Sequence, residues 1–143
     1  CRQFLKPIFA LGHCYEDTQP TLEALRAKGF RTAIVSNTPW GSPAHLWREE
    51  IARFGLSELV DAVVFCTDVG WRKPAKQIFE CALQKVQALP QQCLFVGDDP
   101  KWDLAGPGAM GIEAVLINRR GTRPPTEEAA IRSLDELWDR LQP

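Results

Sequence analysis

Residues 94–111, LFVGDDPKWDLAGPGAMG, place Asp98, Asp99 and Asp103 within six positions, directly after an apolar run. Carboxylates this close repel one another unless a cation or a lysine neutralises them. Two other apolar runs end in polar groups. Ser36, Asn37 and Thr38 follow TAIV, and Cys66, Thr67 and Asp68 follow AVVF and lead through VGWRKP to Lys73. A hydroxyl and nearby backbone N–H groups can donate to phosphate oxygens, and a lysine adds a compact positive charge to the same group. A hard cation such as Mg²⁺ takes one or two carboxylates, waters and phosphate oxygens. Together these residue types point to a Mg²⁺-assisted phosphate site. Neither G-x-x-x-x-G-K-[ST] nor G-x-G-x-x-G occurs, so a nucleotide P-loop or a dinucleotide site has no support.

Such a site needs its pieces brought to one edge. The pattern predicts strands over 31–37, 61–66, 93–97 and 112–118. It predicts helices over 20–30, 42–56 and 73–89, a short helix starting at 100–105, and a closing helix over 133–141. Gly29 and Gly55 act as helix stops, Ser42 as a cap with Pro43 in the first turn, and Ser133 with Glu136 as a capping box. Gly106 and Pro107 are expected to interrupt the helix begun at 100. Ile78, Phe79, Ala82, Leu83 and Val86 share one helix face. Strand and helix alternate, and three strands are nearly continuous apolar runs. This is the pattern of an α/β fold, a mainly parallel sheet with helices on both faces. Ligands of such sheets bind at the carboxyl ends of the strands, where Ser36, Asn37, Lys73, Asp98 and Asp99 stand.

At 143 residues the chain has the size of one domain, and its net charge of −1 gives no electrostatic case for nucleic acid or a membrane surface. No apolar run has the length of a membrane span, and CRQFLKPIFALGH lacks the three parts of a signal peptide. The five cysteines are widely spaced with no C-x-x-C pair, so free thiols in a reducing, cytoplasmic compartment are expected. The first residue is Cys and the only methionine is Met110. A processed start or a piece of a longer protein is the expectation.

The segments LEALRAKGFRTAIVSNT, LVDAVVFCTDVGWRKPAKQIFECAL and CLFVGDDPKWDLAGPGAMGIEAVLINR resemble, in order and spacing, the C-terminal part of a haloacid dehalogenase-superfamily hydrolase. The subfamily includes many small phosphatases. The resemblance implies a three-layer Rossmann-like core and Mg²⁺ as cofactor. It also implies roles. Ser36 hydrogen-bonds the transferred phosphoryl group, and Asn37 shapes that loop. Lys73 balances the charge of nucleophile and phosphate. Asp98 ligates Mg²⁺, Asp103 orients Lys73 or the metal shell, and Asp99 ranks third among the acids.

The family's first motif, an apolar strand followed by D-x-D-G-[ST], does not occur in these residues. Its first Asp is the nucleophile and its second the general acid/base. Two readings of residues 1–14 stand: the tail of a cap domain, which is favoured, or a degenerate first motif with Ala10 and Gly12 at the two acid positions. Residues 15–143 form the core domain in both. The family's first-motif strand is central, so its loss leaves two strand edges to be paired by each other, by the front segment or by another chain. A homodimer or a missing N-terminal segment completing the sheet is therefore one expectation.

Three functions compete. The first is a phosphate monoester hydrolase acting on a small phosphorylated substrate, here without its nucleophile and inactive or nearly so. The second is a non-catalytic phosphate- or metal-binding pseudoenzyme acting through a partner. The third is a haloacid dehalogenase, which the acidic motif argues against. Simpler roles weigh on other residues. Trp40, Trp47 and Trp71 flank a substrate entrance or, more simply, pack. His13 and His45 lack ligand spacing, and Arg119, Arg120 and Arg123 read as a solvated basic loop.

Overall fold

A computed structural model describes residues 2–121 and 130–141. Arg123 of the basic loop, like Cys1, lies outside the described residues. In chain order the elements are α1 (Arg2–Leu11), α2 (Thr18–Ala27), β1 (Ala33–Ser36), α3 (Ala44–Arg53), β2 (Ala62–Phe65), α4 (Cys66–Val69), α5 (Lys76–Val86) and β3 (Leu94–Gly97). A π-turn (Pro100–Leu104), α6 (Ala105–Gly108), β4 (Glu113–Leu116) and a 3-10 helix (Leu134–Asp139) follow.

The strands are parallel, as their apolar runs predict, and they form two pairs. β1 pairs with β2 in the register Ser36↔Phe65, and β3 pairs with β4 in the register Gly97↔Leu116. Among the described residues β1 and β3 are not hydrogen-bonded to each other, so each keeps one unpaired edge.

α5 spans the two pairs. Its Ile78, Phe79, Ala82 and Val86 are buried. Ile78, Phe79 and Ala82 share a cluster with Val64, Cys66 and Ile112, with Val35 and Phe95 packed against it. Strand side chains alternate between faces. Phe95 meets Phe79 edge-on at 5.4 Å, while Leu94 and Val96 face a second cluster of Val115, Ile131 and Leu137. That cluster explains the closing element. Ser133 and Glu136 form the expected capping box, and the turn they start is 3-10 rather than α.

Three local expectations are corrected. Ser42 does not cap α3. Its hydroxyl donates to the Pro39 carbonyl and accepts from Trp47 Nε1, and Pro43 occupies the N-cap position. Gly106 and Pro107 do not interrupt the chain's helical course but lie within α6. A proline in a helix's first turn removes an N–H that would have no partner there. Gly106 is required for a different reason: a Cβ there would stand 2.8 Å from Phe79 Cε2. α5 begins at Lys76 rather than at 73, and Asn37 instead holds both backbone groups of Lys73. Its Oδ1 accepts from Lys73 N at 2.8 Å and its Nδ2 donates to Lys73 O at 3.2 Å.

Residues 2–11 are helical, with Leu5 fully buried. α1 docks on α3 through Phe9 on the Trp47 ring, Arg53 Nη2 on the Phe9 carbonyl and an Arg2–Glu49 ion pair.

Candidate active site at the strand carboxyl ends

The three polar loops meet, and Lys73 is where they join. Lys73 Nζ lies 2.6 Å from Asp103 Oδ1, with side chains only 12% and 5% exposed. Asp103 gives this little-exposed ammonium an opposite charge at hydrogen-bond distance. The Phe95 ring adds to it, 5.4 Å from the ammonium. Asn37 fixes the lysine's backbone from the β1 loop, and Asp103 fixes its head group from the β3 loop.

Asp103 also organises its own loop. Its Oδ2 accepts from Asp98 N and Asp99 N, each at 3.1 Å, and its backbone N donates to Asp99 O at 2.7 Å. This close return needs Gly97. A Cβ at that position would stand 2.2 Å from Asp103 Cβ, so only glycine admits the carboxylate. Both oxygens of Asp103 are thus engaged, and of the two roles expected for it the geometry supports orienting Lys73. Asp99 is the N-cap of the π-turn, its Oδ1 accepting from Lys101 N and Trp102 N. Asp98 is exposed at the end of β3, and its carboxylate accepts no hydrogen bond among the described residues. Among the described residues the Ser36 hydroxyl makes only a 3.5 Å contact with the Asn37 carbonyl, so it could donate to a ligand.

Asp98 is the carboxylate that would hold a Mg²⁺ ion here. Among the described residues no three His, Cys, Asp or Glu side chains converge on a metal position, and Mg²⁺ requires no such cage where a phosphate completes its shell.

Other polar groups have structural work. Asp68 accepts from both Arg48 guanidinium nitrogens, at 3.1 and 2.6 Å, and from Phe65 N at 2.9 Å. Burial pushes its carboxyl up, but Arg48 and the Phe65 N–H together outweigh this and hold it below the usual range. Trp47 packs, whereas Trp40 and Trp71 are exposed. His45 is exposed, and His13 sits edge-on to Tyr15.

One cluster escaped the sequence. Asp17 Oδ2 accepts from Arg119 Nη1 at 2.7 Å, Leu134 N at 2.8 Å and Ser133 Oγ at 3.0 Å. Arg119, expected to be solvated, instead stacks 4.0 Å over the Tyr15 ring. Burial raises the Asp17 carboxyl, yet these partners lower it further, to a net position below the ordinary range. No local pattern announces a pair 102 residues apart.

Comparison with known proteins gives the chain a family. The family model of the haloacid dehalogenase-like hydrolases matches residues 3–111, and the chain belongs to that family. It is 32% identical over 127 residues to the glyceraldehyde 3-phosphate phosphatase of Methanothermobacter thermautotrophicus, covering 89% of this chain and 54% of that protein. It is 33% identical over 131 residues to (S)-2-haloacid dehalogenase 4A of Burkholderia cepacia, again covering 89% and 54%. A crystal structure of a HAD phosphatase from Thermococcus onnurineus superposes with a TM-score of 0.84 at 33% identity, covering 97% of this chain and 63% of that one. The chain spans about half the length of the curated relatives it matches. No described helix is long and apolar enough to cross a membrane.

Proposed function

We propose that Ser36, Asn37, Lys73 and Asp98 form the phosphate- and cation-holding half of a Mg²⁺-dependent phosphate monoester hydrolase site, and that the covalent nucleophile is not supplied by these 143 residues. The observation that carries the reading is the buried Lys73–Asp103 pair, clamped from a second loop by Asn37. An ammonium held this firmly at the strand ends serves an anion. Ser36 donates to a phosphoryl oxygen, Lys73 neutralises it, and Asp103 keeps the lysine aimed. Bound Mg²⁺, held by Asp98, supplies further charge compensation at the phosphate. The retained acidic loop favours phosphate over carbon–halogen chemistry, since dehalogenases of this family do not need the metal.

Residues able to attack phosphorus are missing from the expected place. Ala10 and Gly12 have no nucleophilic side chain, and Ala10 lies in a helix rather than at a strand end. The unpaired edges of β1 and β3 are where a further parallel strand is accommodated. Without it the chain binds but does not turn over, which is equally the behaviour of a phosphate-binding pseudoenzyme. Hydrolysis of p-nitrophenyl phosphate with Mg²⁺ tests this. The expected result is no turnover above background. Robust turnover abolished by Asp98→Ala would refute the absence of a nucleophile.

A further inference from the structure

On the α1/α3 side of β1 the structure holds a cavity of about 270 Å³. Ile8 and Phe9 of α1, Ile34 of β1, and Trp47, Ile51 and Phe54 of α3 wall it. Its polar side chains are Ser36 and Glu50. Ile34 and Ser36 are two residues apart on one strand and so share a face. The serine assigned to phosphate therefore also lines an apolar chamber. Glu50 is held by Arg53, its Oε2 accepting from Arg53 Nε at 2.8 Å and Nη2 at 2.6 Å.

We propose that this cavity receives an apolar, ring-sized group of the phosphorylated ligand whose phosphate is held at Ser36 and Lys73. The proposal rests on the phosphate reading and adds a substrate class to it: aryl or compact branched-alkyl phosphates. Size selects the occupant. An apolar cavity of ~150 Å³ holds benzene, so this one takes a ring with substituents but not a helix or a strand. Wall chemistry selects against polyols. A sugar or glycerol moiety brings hydroxyls that need partners, and beside its apolar side chains the wall offers only the Ser36 hydroxyl and the Glu50 carboxylate, so a ring gains more there than a polyol.

The test is isothermal titration of the chain, in Mg²⁺, with inorganic phosphate, phenyl phosphate and glycerol 3-phosphate. Phenyl phosphate is expected to bind roughly tenfold or more tightly than glycerol 3-phosphate, the order of gain that burying a ring provides. Two variants at Ile8 probe the chamber from α1. Ile8→Trp fills it and removes the preference; Ile8→Ala enlarges it and shifts the preference to naphthyl phosphate. Equal affinity for the two esters, with inorganic phosphate still bound, overturns the cavity proposal and leaves the phosphate reading standing. Failure of inorganic phosphate and both esters to bind overturns both.

Discussion

Asp103 Oδ1 and Lys73 Nζ sit 2.6 Å apart in a nearly solvent-free position, joining the loop after β3 to the loop after β2. Removing one partner leaves the other charge buried alone, at a cost of about 3–5 kcal/mol. Asp103→Asn is therefore expected to lower the stability measured by urea unfolding by about that amount. Lys73→Met combined with Asp103→Asn should recover much of the loss, while phosphate binding stays absent. A double variant no more stable than Asp103→Asn would show that the pair's role is not this charge balance.

Gly97 makes that pair accessible. Placing a methyl group 2.2 Å from Asp103 Cβ forces the acid aside. Gly97→Ala should therefore destabilise the chain by about 2–3 kcal/mol and weaken phosphate binding. An unaffected urea midpoint would contradict the close approach.

Asp17 ties the start of α2 to the 3-10 helix across 117 residues of sequence. Its carboxyl sits lower in the folded chain than in the unfolded one, where it titrates near ~3.9. The unfolded state thus takes up protons first, so this contribution is full above about pH 4 and is lost as pH falls through the folded value. Thermal unfolding followed from pH 7 to pH 3 should show a steeper acid decline for the wild type than for Asp17→Asn. Parallel curves would remove Asp17 from the account.

Among the described residues β1 and β3 each present an unpaired edge, although their apolar side chains are those of interior strands. Backbone amides on those edges should exchange with solvent deuterium faster than the amides that close the β1–β2 and β3–β4 ladders. Equal protection would mean that the two pairs are joined in solution.

Much of this site was legible in the sequence because each part follows an apolar run. The end of a buried parallel strand is a place that topology makes functional, so Ser36, Lys73 and the acid loop could be named from spacing. The distribution of labour among the acids was not legible from the residues alone; only the family resemblance ranked them. Asp99 spends its carboxylate on a turn, and Asp103 spends both oxygens on Lys73 and the loop, because Gly97 lets the chain fold back on itself. Ser42 looked like a cap until Trp47, five residues on, proved to use its hydroxyl. Asp17 and Arg119 meet only in three dimensions, and a pairwise contact across the whole chain leaves no periodic trace.

Asp98, with Ser36 and Lys73, is proposed to hold a metal-assisted phosphate. Calorimetric titration of inorganic phosphate, with and without Mg²⁺, tests it most directly. Binding should strengthen with Mg²⁺, lose that dependence in Asp98→Ala, and disappear in Lys73→Met. Absence of phosphate binding by the wild-type chain, or binding indifferent to Mg²⁺ and to Asp98, would contradict it.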